Sequence, residues 1–180
     1  MRTQLFKRLP ESQSVLQVYA VIAVMLSGWT ITAFLRKLPS WLLTLNMGEI
    51  LTVFSYSMVT NLLESLIVLV LILAVCYLLP ARILRDDFAV RGTLLSIGLI
   101  GALMAYMRIF MRYGLGNEAW LFMGPITVLL LTALLLAFSS RVGFLRSAIL
   151  WLSDRLVVFL FILVPLFVFL FIYVIFRNMV

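Results

Sequence analysis

Long apolar runs alternate with short polar breaks along this chain. Within the runs the apolar residues are nearly continuous, without the i, i+3, i+4 stripe of a helix that lies on a soluble core. A bilayer core of about 30 Å needs roughly 20 apolar residues per helix. Runs of that length cover 15–35, 57–79, 92–112, 119–138 and 156–176. The pattern predicts an all-α fold, a polytopic transmembrane helical bundle of about five spans forming one integral membrane domain over 1–180.

The breaks carry the expected punctuation. Residues 11–14 can cap the first span, Arg36 and Lys37 end it, and Pro39 is expected to break the chain. Residues 38–56 are apolar but hold Trp41, Asn46, Glu49 and Tyr56. They read as an interfacial segment or as the early part of a long, tilted second helix. Pro80 closes the second span. Residues 141–153 place Arg141 and Arg146 beside Phe144, Ile149 and Trp151, the pattern of a short amphipathic helix in the interface. Ser153 or Asp154 can cap the last span, and Pro165 is expected to kink it.

Composition agrees with the pattern: 65% of residues are hydrophobic and 12% charged, against about a quarter charged in a soluble domain. The net charge of +7 resides in Lys and Arg between the apolar runs, where it anchors to anionic lipid; no nucleic-acid partner is implied. With the N-terminus inside, nine of the 14 basic residues fall inside and five outside, which favours N-terminus in and C-terminus out. The cell membrane is the expected location. Arg82, Arg85, Arg91, Arg141, Arg146 and Trp151 are candidate lipid head-group contacts.

The chain has no histidine, which removes His-ligated haem, His-containing zinc sites and every Ser-His or Cys-His catalytic pair. Cys76 is the single cysteine and reads as a small apolar packing residue. Asp86-Asp87 lacks a second acidic motif and reads as a solvated turn. No cofactor and no metal site are expected, although the aromatic last span offers a surface to a partner helix or to a carotenoid or quinone.

One polar locus interrupts the apolar runs. Ser57, Thr60, Asn61 and Glu64 lie three or four residues apart and share a helix face, which Glu49 and Tyr56 can extend. Counting about 20 residues back from Leu79 and forward from Gly92 puts Glu64 and Arg108 at one outer level. The third span also carries Gly98 with Ala102 and Gly101 with Ala105, small pairs that let helices approach closely. The expectation is a central third helix packed on the second, with Glu64 paired to Arg108, and with Glu49 or Glu118 answering Arg112. Ser27, Gly28, Trp29 and Thr30 add polar groups at a similar level.

Three functions fit. The first is a non-catalytic small integral membrane protein, a scaffold or accessory subunit of a larger membrane complex, with other membrane subunits or a second copy as partners. The alternative is a small transporter or channel using the site around Glu64 and Arg108. The third is an intramembrane lipid-modifying enzyme, although no catalytic residue can be named.

Overall fold

The computed structural model describes residues 10–78, 87–113, 123–124, 126–128, 130–134 and 143–179, with the side chains of 111–113 left aside. Four long helices dominate: α1 (Ser12–Thr44), α2 (Met47–Leu78), α3 (Phe88–Tyr113) and α4 (Gly143–Met179). The described residues between 123 and 134 are helical too, and no strand occurs among the described residues. The fold is an all-α helical bundle. Four helices are long and apolar enough to cross a membrane: Ser12–Thr44, Met47–Leu78, Phe88–Phe110 and Gly143–Met179. Half of the expected span at 119–138 lies outside the described residues.

The first boundary differs from expectation. Pro39 does not end α1, which runs on to Thr44. Two ring contacts steady the helix around that proline: Phe34 meets Trp41 edge-on at 5.4 Å and Phe54 of α2 at 4.9 Å. The chain turns instead at Leu45 and Asn46, where a reciprocal cap starts α2. The Asn46 amide N donates to Glu49 Oε2, and the Glu49 amide N donates to Asn46 Oδ1, both at 2.9 Å. This is a capping box with Asn in the first position. Residues 47–56 are therefore the early part of a long second helix, and 38–44 belong to the first.

The last boundary differs as well. Residues 143–153 do not form a separate interfacial helix; α4 is one helix of 37 residues. Ser153 is buried and, instead of capping a new helix, donates to the carbonyl of Leu150 inside α4 at 3.1 Å. Neither glycine nor proline interrupts the helix between Gly143 and Pro165. At about 1.5 Å per residue, α4 is roughly 55 Å long, well beyond a bilayer core of about 30 Å.

The hub of the bundle is α1 and not, as expected, α3. α1 packs on all three other long helices, whereas α2 and α3 scarcely touch. Its residues Val18, Ala20, Val21, Ile22 and Ala23 are each at most 1% exposed. They cover more than one turn of 3.6 residues, so the helix is enclosed on every side at that height. Val18 and Ile22 pack with Ile72, Cys76, Phe88 and Ile100. Ala20 and Ala23, on the other side, pack with Met58, Leu160, Leu163 and Phe167. Small side chains at 20 and 23 let α1 serve two cores at once.

Candidate functional site

The height of each polar residue follows from the register of α1 and α2. Asn61 Nδ2 donates to Ser27 Oγ at 2.9 Å, and the Phe54 ring meets Phe34. Seven residues separate Asn61 from Phe54 and Ser27 from Phe34, in opposite directions, so the two helices run antiparallel. The end where α1 finishes and α2 begins is termed distal. It also holds the end of α4, where Tyr56 Oη donates to Asn178 Oδ1 at 2.7 Å and Thr52 Oγ1 lies 3.2 Å from Tyr173 Oη. The opposite, proximal end holds the starts of α1, α3 and α4.

Along the distal part of the α1–α2 seam runs a cleft of ≈ 490 Å³. Trp29, Thr30, Lys37 and Trp41 form its α1 wall, and Tyr56, Ser57, Thr60, Asn61 and Glu64 its α2 wall. A second, apolar pocket of ≈ 370 Å³ shares Phe34 with it and is lined by Ile50, Leu51 and Phe54. Four residues expected on one face of the second helix, Ser57, Thr60, Asn61 and Glu64, line this cleft. Two members of the α1 wall, Lys37 and Trp41, are additions. Their spacing from Trp29 and Ala33, in steps of four, could have placed them on one face.

Most hydroxyls in these helices fold back on their own backbone. Ser57 Oγ donates to the Val53 carbonyl at 2.8 Å and Ser55 Oγ to the Leu51 carbonyl at 2.7 Å. Asn61 is different. It is 1% exposed and spends its Nδ2 on Ser27, leaving Oδ1 without a hydrogen-bond partner. Turning the amide over would leave the nitrogen unpartnered instead. Thr93 Oγ1 is the other such buried atom among the described residues.

The expected Glu64–Arg108 pair does not form. Among the described residues Asp87 and Arg146 make the single ion pair, at 2.7 Å. Arg108 instead lies over the Trp29 ring, its guanidinium carbon 5.4 Å from the ring centroid. The reason is height. Asn61 is level with Ser27, so Glu64 lies about 4.5 Å towards the proximal end, while Trp29 lies about 3 Å towards the distal end. The Arg108 side chain, coming from the distal side, is spent at Trp29. Glu64 is exposed on the cleft wall.

The other expected residues scatter. Glu49 caps α2; the side chain of Arg112, its expected partner, and Glu118 lie outside the described residues. Gly98 packs against Thr132, where an added Cβ would sit 3.0 Å from Thr132 Oγ1. Gly101 faces Met25 of α1 loosely, at 3.9 Å from a Cβ, and Ala105 is exposed. The small face of α3 thus meets α1 and the 130–134 segment, not α2. Arg146 answers Asp87, Trp151 is exposed with Arg155 5.5 Å from its ring centroid, and Arg91 is half-buried. Arg82, Arg85 and Arg141 lie outside the described residues. No group of three or more metal-ligating side chains occurs among the described residues.

No family model, curated protein or solved structure matches this chain.

Proposed function

We propose that this chain is a non-catalytic, multi-pass protein of the cell membrane that works as an accessory subunit of a larger membrane assembly. One observation carries the reading: Glu64 is an exposed carboxylate without an ion-pair partner among the described residues, on a helix long and apolar enough to cross a membrane. On insertion scales a charge at the centre of a membrane helix costs about 2.5–3.5 kcal/mol, and less towards the interface. A neighbouring subunit that covers Glu64 offsets that cost; lipid does not. Next to it Leu63, Leu66 and Ile67 are exposed, an apolar surround that suits a packed helix.

The alternatives draw less support. Transport needs a polar route beyond the cleft, yet proximal to it Val18, Ile22, Ile72 and Cys76 fill the space with apolar side chains. Acid–base catalysis needs a second group beside Glu64. The nearest described carboxylate in chain order, Glu49, is engaged in the α2 cap.

Purification of the full-length chain from its native membranes in mild detergent tests the proposal. The expected result is a stoichiometric second membrane protein whose recovery falls sharply in Glu64→Gln. A chain that elutes alone, at the size of one or two copies, refutes it.

A further inference from the structure

We infer that the α1–α2 cleft seats a partner's transmembrane helix that carries a lysine or arginine at the height of Glu64. The inference rests on the accessory-subunit reading and names the chemistry of the partner.

The walls near Glu64 present acceptors for a cation. Glu64 offers a carboxylate, and Asn61 Oδ1 is buried without a donor. A lysine ammonium brings three donors and an arginine five, enough for the Glu64 carboxylate; the buried Asn61 oxygen is reached only if its amide turns toward the cleft. In a site screened from water such a pair is held by hydrogen bonds as well as by charge.

The shape favours a helix over a compact ligand. Lys37 lies ten residues distal to Ser27 and Glu64 three residues proximal to Asn61, so the two charges are about 20 Å apart along the seam. Lys37 therefore belongs to the distal mouth and does not compete at Glu64. A groove of that length matches a row of side chains on one helix face, and its volume of ≈ 490 Å³ exceeds one side chain.

Charge decides against a second copy of this chain. A two-fold axis along the groove would bring Glu64 against its own image, two carboxylates without a cation between them. The chain's own Arg108 is engaged with Trp29.

The test uses purified full-length protein in phospholipid vesicles and a labelled poly-leucine transmembrane peptide with one central lysine, read by energy transfer. The lysine peptide is expected to associate roughly tenfold more tightly than an all-leucine control, the size that hydrogen bonds between membrane helices give in model peptides. Glu64→Gln should abolish the preference. A charge-reversed pair, Glu64→Lys with a glutamate peptide, should restore it and guards against a variant that merely misfolds. Equal binding of both peptides, or a preference that survives Glu64→Gln, overturns the inference. So does Glu64-dependent transfer between two labelled copies without peptide, which assigns the groove to self-association. The two proposals fail separately. A chain that is alone in its native membranes but still selects the lysine peptide refutes the subunit reading only. A co-purifying partner indifferent to Glu64 refutes the groove only.

Discussion

Asn61 on α2 donates its side-chain amide to the Ser27 hydroxyl on α1 at 2.9 Å, and both residues are at most 2% exposed. This bond sets the relative height of the two helices and closes the floor of the cleft. Ser27→Ala removes the acceptor and leaves a buried amide with neither end bonded. The expected loss is about 0.5–2 kcal/mol, the range of hydrogen bonds between membrane helices. Unfolding in a mild detergent titrated with a denaturing one measures it. A Ser27→Ala protein as stable as the parent shows that the amide finds water or another partner.

The cap at the start of α2 predicts a local effect. Asn46→Ala removes the oxygen that receives the Glu49 amide, and such caps are worth about 0.5–2 kcal/mol. Hydrogen exchange should quicken at the first amides of α2 and stay unchanged at its buried middle, around Met58 and Asn61. Uniform quickening along α2 would contradict a purely local cap.

These two bonds also mark what could be read from the chain and what could not. Four long helices were legible because nothing polar interrupts runs such as Leu66 to Val75. Asn46 and Glu49 stand at capping-box spacing, yet Pro39 is the stronger breaking signal in the sequence. A residue count from each helix's inner end holds only where α2 and α3 share one starting height. α3 begins at Phe88, and Asn61 is level with Ser27, so that count set Glu64 and Arg108 side by side when they are not. Asp87 and Arg146 are 59 residues apart, and no spacing rule links them. The polar face at Ser57, Thr60, Asn61 and Glu64 follows directly from helical period, as does the shared face of Trp29, Lys37 and Trp41; that the two faces meet across a cleft requires the fold.

The Asp87–Arg146 pair ties the start of α3 to the start of α4, but its side chains are 37% and 54% exposed. Pairs this open contribute about 0–1 kcal/mol and weaken with salt. Asp87→Asn should therefore cost less than about 1 kcal/mol at low ionic strength and nearly nothing at 1 M salt. A larger, salt-independent loss would contradict a solvent-exposed pair.

Two glycines near α3 should respond oppositely to the same change. A Cβ on Gly124 would run into Cδ2 and Cε2 of the Tyr106 ring, whereas one on Gly101 would meet only Met25 Cε at 3.9 Å. Gly124→Ala should destabilise by about 1–3 kcal/mol, as overpacking does. Gly101→Ala should be neutral or slightly stabilising, since alanine favours the helix by up to about 1 kcal/mol. Thermal aggregation of the two variants in one detergent ranks them, and the reverse order would contradict this packing.

Arg108 has two candidate partners, and a double-mutant cycle separates them. Its guanidinium lies over the Trp29 ring, while Glu64 lies about 7.5 Å further along the bundle axis than Trp29. Residues that share no contact add within about 0.3–0.5 kcal/mol. Glu64→Gln and Arg108→Gln should therefore be additive. Trp29→Leu and Arg108→Gln should couple by about 0.5–1 kcal/mol, the size of an exposed cation–π contact. Strong coupling between Glu64 and Arg108 would restore the ion-pair clasp. It would also remove the unanswered carboxylate on which both the subunit reading and the docking of a basic helix depend.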